Sequence, residues 1–432
     1  MLRNILLGLG IFATLLSVLI FSGKISVGTK ESTPQGDVVL WGTLPEAGMN
    51  SLTQNFNPKA KTYAVRYRYI PESEFAQKLL EGLANGAGPD MIVTQYQTLL
   101  SQQGRIQPYP AGSFGEKAFK DKYVDGASIM YTPQGAIGFP VSIDPMALFY
   151  NRTLLSKHGI VNPPVYWDEV SNNAPSLNIR NGNMFVESAI ALGTPNTPYA
   201  KDIIMSIVAQ LGQVPVVQVN GQGSFSYFNV LVNTPVTEGG DVMPLSTTMR
   251  FFTQFGNAGQ PAYSWSSSQG DASDAFVGEK LAMYIGYAGE LPSLRARNPR
   301  AQLEMSYLPQ TRGYNTFAVG MRMYAIGTLK TSRNMSAAFA VQEQFASAGI
   351  SPVIASVAGG YPALRAFAGT PGLDPVVAKS MLVARGWYDS HERESTSYVT
   401  AMISDIVNSH VGVTEAVNTF VLRLRDLYAI KY

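Results

Sequence analysis

GFPVSIDPMALFYNRTLLSKHGIVNPPVYW, residues 138–167, is the segment on which the prediction of the fold rests. Its pattern predicts a short buried strand over Ile137–Ile143, a polar break at Asp144 and Pro145, and a helix over Met146–His158. Ligand-facing groups tend to lie where the backbone changes direction between regular elements. The segment therefore points to Asp144 as a candidate binding residue.

Composition limits the classes of protein that the chain can belong to. Its 432 residues suffice for roughly two or three domains with large cores. Charged residues make up only 14% of the chain and the formal net charge is +2, so we expect no nucleic-acid partner. The absence of cysteine excludes disulfides, thiolate nucleophiles, cysteine metal sites and a lipidated-cysteine anchor.

The N-terminal segment has the composition of a membrane anchor. Residues 5–21 are almost wholly apolar, and no charge lies between Arg3 and Lys24. At about 1.5 Å per residue, the segment and its flanks cross most of a bilayer. A cleaved signal peptide is the alternative, but its apolar core is usually shorter and residues 21–24 match a cleavage site poorly. We therefore expect an N-terminal transmembrane helix and a tether within residues 1–36.

Strand and helix patterns alternate along the rest of the chain. The first predicted elements are the strands Val38–Trp41, Tyr63–Tyr69 and Pro89–Val93 and the helix Glu72–Asn85. The later ones are the strands Leu281–Ile285, Gln302–Leu308 and Phe317–Ile326 and the helices Pro198–Leu211, Asp271–Gly278, Ser332–Ser347, Val376–Ala384 and Val413–Tyr428. Such alternation predicts an α/β fold with mostly parallel sheets flanked by helices. Ligands of these sheets bind beyond the carboxyl ends of the strands, here near residues 42–48 and 94–97.

Five segments in chain order resemble one known family. They are Val39–Trp41, Gly88–Val93, Ala147–Ile160 with the prolines and Trp167 that follow, Phe276–Gly286 and Ala358–Ala363. Together they resemble the family 1 extracellular solute-binding proteins, which are the sugar-type capture subunits of ABC importers and are related to maltose-binding protein. The resemblance covers nearly everything from Asp37 to the C-terminus.

The resemblance implies a two-lobed periplasmic-binding-protein type II fold that closes on its ligand by a hinge motion. The implied first lobe comprises residues 37–140 and 318–357, and the second comprises residues 141–317 and 358–432. The chain would cross between lobes at Phe139–Ser142 and Thr316–Met323 and return near Ala358–Pro362.

The function that the resemblance implies is capture of a small solute, usually a carbohydrate, for ABC permease subunits. The main domain would then be extracellular or periplasmic, and we expect a monomer. Two alternatives stay open: a surface-anchored sensor or adhesion protein on the same scaffold, and binding of a solute other than a sugar.

Nine residues are candidate ligand contacts, because they combine a matching position with a polar or aromatic side chain. They are Glu46, Gln95, Tyr96, Gln97, Asp144, Trp265, Tyr287, Tyr361 and Trp387. For each, a solvated or packing role is the alternative. The sequence departs from the family pattern at Gly289, where the family commonly has a tryptophan that stacks on the ligand. Tyr287 is the candidate replacement, and the departure puts the ligand class in question.

Catalytic patterns are missing from the sequence. The histidines at 158, 391 and 410 lack metal-ligand spacing, and no G-x-S-x-G, H-E-x-x-H or phosphate-binding loop occurs. The acid pairs Asp271 with Asp274 and Glu392 with Glu394 could serve a glycosidase, but solvated helix faces explain them as well. We expect no enzyme activity, cofactor or metal.

Overall fold

The computed structural model describes residues 36–60, 62–182, 184–212, 218–219, 225–226 and 243–429. Its strands are β1 (Gly36–Gly42), β2 (Tyr63–Tyr69), β3 (Met91–Gln95), β4 (Tyr109–Pro110), β5 (Tyr131–Thr132), β6 (Gly135–Ala136), β7 (Phe139–Asn151), β8 (Ile179–Asn181), β9 (Met184–Ile190), β10 (Gln218–Val219), β11 (Phe225–Ser226), β12 (Leu281–Tyr287), β13 (Leu303–Tyr307), β14 (Val319–Thr328) and β15 (Ala384–Arg385).

The α-helices lie between and after these strands. They are α1 (Glu46–Ala60), α2 (Glu72–Ala84), α3 (Tyr96–Ser101), α4 (Glu116–Lys122), α5 (Arg152–Lys157), α6 (Trp167–Leu177), α7 (Ala200–Gln210), α8 (Pro244–Thr253), α9 (Ala272–Val277), α10 (Leu291–Arg297), α11 (Met335–Phe345), α12 (Ser351–Val357), α13 (Pro375–Val383), α14 (Glu392–Val407) and α15 (Val413–Ala429).

One long strand, β7, joins two halves of the principal sheet. In the first half the strand order is β2-β1-β3-β14-β7, and in the second half it is β7-β12-β9-β8. Residues 139–145 of β7 pair with β14, whereas residues 146–150 pair with β12 on one side and residues 147–151 pair with β13 on the other. The change of partner falls between Pro145 and Met146. We call the region around Pro145 and Met321, where β7 and β14 pass between the halves, the junction.

The predicted helix over Met146–His158 is wrong for its first half. The strand β7 continues to Asn151, and all 13 of its residues are buried. Pairing on both edges satisfies the backbone of residues 146–151, and burial on both faces suits their apolar side chains, so tertiary context overrides the helical pattern. The helix α5 begins only after Asn151, whose side chain accepts a hydrogen bond from the N–H of Leu154.

The sheet is mixed rather than mostly parallel, which corrects the second part of the fold prediction. The pairs β1 with β2, β1 with β3, and β9 with β12 are parallel. The strands β7 and β14, in contrast, run antiparallel to each other and to most of their neighbours. Both strands pass through the junction, and their direction is opposite to that of most of the strands beside them.

The sequence prediction also omitted the helix α14, which spans residues 392–407. Its buried stripe consists of Ser395, Val399, Met402 and Ile403, which have helical spacing. The stripe starts with a small polar residue and is only four residues long. That weakens the apolar signal from which a helix is predicted.

One expectation concerns residues that the structure does not describe, and another is not decided by the fold. The N-terminal anchor falls within residues 1–35, which lie outside the described residues; among those described, no helix is long and apolar enough to cross a membrane. The lobe boundaries are not tested by these observations and stay a prediction.

Candidate functional site

An acid and a base lie opposite each other at the junction. Asp144 on β7 and Arg322 on β14 are partners in the antiparallel register, and Pro145 and Met321 are the next pair. The Nη2 atom of Arg322 is 2.8 Å from Oδ2 of Asp144, which makes a salt bridge. This ion pair therefore joins the two strands where they pass between the halves of the sheet.

Both carboxylate oxygens of Asp144 have protein partners. Its side chain is only 3% exposed, and Oδ1 accepts a hydrogen bond from the backbone N–H of Gly289 at 2.8 Å. Burial raises the pKa of Asp144 from 3.8 to about 6, although Arg322 and the Gly289 N–H favour the charged form. A direct contact between Asp144 and a solute stays a prediction, because its oxygens are already occupied here.

Tyr287 lies behind Arg322. Its ring is 4% exposed, with the guanidinium carbon of Arg322 4.6 Å from the ring centroid and Tyr199 packed edge-on at 4.9 Å. Its hydroxyl donates to Oδ2 of Asp202 at 2.8 Å. With so little exposed surface, this ring offers no open face for stacking. It supports the guanidinium of Arg322 instead.

The turn after β12 is packed closely at Gly289. A Cβ atom at this position would lie 1.8 Å from the carbonyl oxygen of Gly359 and 2.9 Å from Oδ2 of Asp144. Neither distance is compatible with van der Waals contact, so this packing requires glycine. The tryptophan of the family pattern cannot be accommodated at residue 289 in this arrangement.

Polar side chains gather beside the junction at the carboxyl ends of β1 and β3. Tyr324 on β14 is the register partner of Gln95 and of Ser142, and both Tyr324 and Gln95 are half-buried. Glu46 is the exposed first residue of α1, which follows β1. Since parallel strands bind ligands beyond their carboxyl ends, Gln95, Tyr324 and Glu46 have the position of ligand contacts.

Tyr96, Gln97 and Trp387 are more deeply buried. They are 1%, 7% and 7% exposed, and the Tyr96 hydroxyl donates to the carbonyl oxygen of Trp387 at 3.2 Å. A cavity of about 20 Å³ separates Tyr96 and Trp387 from Asp202 on α7; this is room for roughly one water molecule. Within the described part of the chain, Gln97 Oε1 and Trp387 Nε1 have no hydrogen-bond partner.

A buried ion cluster holds the segment after Trp387 against α7. Lys201, which is 5% exposed, places Nζ 2.9 Å from Oδ2 of Asp389 and 3.2 Å from Oε1 of Glu392. Asp389 also accepts a hydrogen bond from Ser395 at 2.6 Å. Burial opposes the charge on Lys201, but the two carboxylates outweigh it and raise the pKa of Lys201.

The remaining two candidates differ in position. Tyr361 is half-buried and its backbone pairs with Ile143 through hydrogen bonds of 2.7 and 2.8 Å, so it lies next to the junction. Trp265 is 1% exposed, and its backbone N–H donates to the carbonyl oxygen of Phe255. The Trp265 ring has no face open to a solute, and we leave this residue out of the proposed site.

The sequence prediction missed Arg322, Tyr324 and Tyr199. The sequence does contain a signal for Arg322 and Tyr324. They occupy alternate positions of the otherwise apolar strand β14, which predicts that their side chains share one face. Tyr199 left no such signal. It precedes α7 with a left-handed backbone, φ 55°, which only the structure reveals.

The site is suited to binding by hydrogen bonds. Its polar groups are a guanidinium, amides, phenols and carboxylates, which can donate to and accept from a polyhydroxyl solute. Within the described ranges, no group of three or more His, Asp or Glu residues is arranged to hold a metal ion.

Relatives share sequence with only part of the chain. A Brucella abortus (strain 2308) protein whose name describes it as a binding protein is 25% identical over 124 residues. A counterpart from Brucella suis biovar 1 (strain 1330) matches equally well. In both cases the match spans 28% of this chain and 30% of the relative.

Solved structures resemble the whole described chain. The sugar-binding protein MalE of Xanthomonas citri has a TM-score of 0.73 at 17% identity, over 91% of this chain and 97% of that one. The cyclic alpha-maltosyl-1,6-maltose binding protein of Arthrobacter globiformis has a TM-score of 0.72 at 15% identity, over 91% and 98%. An ABC substrate-binding protein of Listeria monocytogenes in complex with cycloalternan has a TM-score of 0.67 at 14% identity, over 92% and 100%. These likenesses establish a two-lobed α/β solute-binding protein fold.

A sequence pattern that defines a known family, described as "Bacterial extracellular solute-binding protein", matches residues 42–340. This family consists of binding proteins rather than enzymes, in agreement with the expectation from the sequence. The matched range includes all of β7 and β14, which form the junction, and the neighbouring strand β12. The chain therefore belongs to the bacterial extracellular solute-binding protein family.

Proposed function

We propose that this protein captures a carbohydrate between its two lobes and delivers it to the permease of an ABC importer. The lobes are those expected from the sequence, residues 37–140 with 318–357 and residues 141–317 with 358–432. The observation that carries the proposal is the junction, where two strands cross between the halves of the sheet with polar side chains beside them. A crossing of this kind is where a hinge closes two lobes on a solute.

The character of the side chains supports a sugar as the solute. Gln95, Tyr324 and Tyr361 are half-buried groups that can both donate and accept hydrogen bonds, as sugar hydroxyls do. Tyr199 adds a half-buried aromatic ring that could cover an apolar sugar face. The structural neighbours named for sugars, maltose derivatives and cycloalternan add independent support.

A thermal-shift screen of the full-length protein tests the ligand class. The panel comprises glucose, galactose, maltose, maltotriose, cellobiose, the twenty amino acids and the polyamines putrescine and spermidine. A ligand present at 100 times its Kd stabilises the protein by about 2.7 kcal/mol, so the melting temperature should rise by several degrees with a sugar. A rise with an amino acid or a polyamine and with no sugar would refute the carbohydrate assignment.

A pair of glutamine variants shows whether binding occurs at the proposed site. Gln95→Ala removes a half-buried amide beside the junction and should reduce the shift that the sugar produces. Gln77→Ala, on the exposed face of α2, removes an amide that donates to Glu81 on the same helix and should leave the shift unchanged. Equal effects of the two variants would locate the binding site elsewhere.

We also propose that residues 1–36 anchor the protein in the membrane with the main domain outside. The proposal is supported by the apolar run at residues 5–21 and by an extracellular family. Membrane fractionation followed by N-terminal sequencing of the mature protein tests it. An intact N-terminus in the membrane fraction supports the anchor, and a new N-terminus near residue 24 in the soluble fraction would show a cleaved signal peptide.

A further inference from the structure

We propose that Arg322 contacts the solute directly and that Asp144 is the positioning residue that orients its guanidinium. This inference rests on the proposed function, because it assumes that a solute binds at the junction. It reverses the expectation from the sequence, in which the carboxylate of Asp144 was the contact.

The first step is the occupancy of Asp144. Its Oδ1 is held by the Gly289 N–H and its Oδ2 by Arg322, each at 2.8 Å, and the side chain is 3% exposed. Because so little of the side chain is exposed, a solute could reach this carboxylate only if one of these partners moved. Displacement would leave either a backbone N–H or a guanidinium without its buried acceptor, which costs free energy.

The second step is the surplus of donors on Arg322. A guanidinium carries five N–H donors. Among the described residues, Arg322 donates one hydrogen bond, from Nη2 to Asp144. The Arg322 side chain is 25% exposed, in contrast to the buried Asp144 beside it. Its other donors therefore have no protein acceptor among the described residues, and a quarter of the side chain is open to solvent.

The third step is the rigidity of the guanidinium. It is fixed at one end by the salt bridge to Asp144 and on one face by the ring of Tyr287, 4.6 Å away. Tyr287 is in turn held by Asp202 through a hydrogen bond of 2.8 Å. A donor group that is already held in place loses less side-chain entropy when a solute binds.

The fourth step is the shared face of β14. Residues 322 and 324 alternate with the buried Met321, Met323 and Ala325, so Arg322 and Tyr324 project from the same side of the strand. Tyr324 adjoins Gln95 at the carboxyl end of β3. Arg322 thus belongs to the row of polar groups at which we propose that the solute binds.

These steps define the chemistry of the solute. A group that only donates requires acceptor oxygens, which the hydroxyl, ring and glycosidic oxygens of a carbohydrate supply. A polyamine offers cationic donors, which the guanidinium repels. The solute is therefore oxygen-rich and not cationic.

Arg322→Lys tests the contact. Lysine keeps the positive charge beside Asp144 but lacks the planar fork, so the fold is retained while several donors are lost. The matched control is Arg312→Lys. Arg312 also forms salt bridges, with Asp168 and Glu169, and its guanidinium carbon is 3.9 Å from the centroid of a tyrosine ring, but none of these contacts lies at the junction. Isothermal titration calorimetry of the full chain, with the solute that gives the largest thermal shift, measures Kd for each.

The expected result is a Kd raised roughly 10- to 100-fold by Arg322→Lys and unchanged by Arg312→Lys. Asp144→Asn, which keeps the guanidinium but loses its salt bridge, should raise Kd less than Arg322→Lys. The wild-type Kd should rise as the pH falls from 7.5 to 5, because protonation of Asp144 breaks the salt bridge that orients Arg322, and Asp144→Asn should show no such rise. Such a pH effect separates orientation of Arg322 from a general loss of structure.

Two outcomes separate this inference from the proposed function. If a sugar binds the wild type and Arg322→Lys binds it equally tightly, the inference is overturned and the carbohydrate function stands. If the panel instead identifies an oxygen-rich amino acid and Arg322→Lys weakens its binding, the contact is supported and the carbohydrate function is overturned.

Discussion

Asp144 and Arg322 are register partners on the antiparallel strands β7 and β14, and a salt bridge of 2.8 Å joins their side chains. The pair lies within one residue of the point at which β7 changes its partners from β14 to β12 and β13. An ion pair at this position connects the two strands that a hinge motion would bend. Its charge state therefore bears on the stability of the protein and on the hinge closure that we propose.

The free energy of unfolding should depend on the ionisation of Asp144. Its pKa rises from 3.8 to about 6 in the folded protein, chiefly by burial, so the folded state holds a proton that the unfolded chain has released. The stability that Asp144 contributes is thus present below about pH 4 and is lost as the pH rises through 6. The loss is about 3 kcal/mol, at 1.36 kcal/mol per pKa unit.

Asp144→Asn provides the comparison, because asparagine does not titrate. Urea unfolding of both proteins between pH 4 and pH 7 should show the wild type losing about 2.5 kcal/mol relative to the variant, because the unfolded carboxyl is already partly ionised at pH 4. Parallel pH profiles would mean that Asp144 titrates at the same pH in the folded and unfolded states.

Gly289→Ala should destabilise the protein although the side chain added is a single methyl group. The methyl carbon would lie 1.8 Å from the carbonyl oxygen of Gly359, so the backbone must shift, at a cost of about 1–3 kcal/mol. Gly104→Ala is the control, because no atom lies within 4 Å of its added Cβ. Thermal unfolding that shows equal melting temperatures for both variants would contradict the close contact of Gly289 with Gly359.

Lys201→Met should be far more damaging than the loss of an exposed lysine. Asp389 is fully buried, and removing its cationic partner leaves a buried charge that typically costs about 3–5 kcal/mol. Lys120→Met breaks an exposed pair with Glu116 on α4 and should change stability little. Chemical denaturation of the three proteins measures this difference; similar losses for the two variants would disprove the role of the buried cluster.

Two of the buried tryptophans, Trp167 and Trp387, should respond differently to replacement by phenylalanine. Trp167 donates from Nε1 to Gln210 at 2.8 Å, whereas Trp387 Nε1 has no partner among the described residues. Both substitutions remove similar ring volume, so Trp167→Phe should cost about 1 kcal/mol more, the typical net contribution of a hydrogen bond. A larger loss for Trp387→Phe in urea unfolding would indicate a partner for its N–H, such as a water molecule in the adjacent cavity.

Some elements could be predicted because the physics that determines them is local. The strand β2 lies at Tyr63–Tyr69 as predicted, since its alternation of aromatic and basic residues matches a strand with one buried face. The helix α15 begins at Val413, as its apolar stripe predicted. Composition alone likewise excludes disulfides and cysteine metal sites, because the chain has no cysteine.

The strand β7 shows where local pattern fails. Residues 146–151 have a helical arrangement of apolar residues, but they form a strand because β12 and β13 supply hydrogen-bond partners on both edges. Those partners lie more than 130 residues further along the chain, and a local window of sequence contains none of them. Asp144 and Arg322 are 178 residues apart, so the ion pair could not be predicted from a local window either.

The sequence by itself therefore determined the α/β class, the family resemblance, the choice of Asp144 as a candidate binding residue and the absence of tryptophan at residue 289. The break predicted at Asp144 and Pro145 is wrong, because β7 runs unbroken through both residues. Only the tertiary structure decided what Asp144 faces, why residue 289 must be glycine, and that Tyr287 supports Arg322. The first set follows from composition and local periodicity. The second depends on side chains that meet across the junction, and such contacts are set by the packing of distant segments.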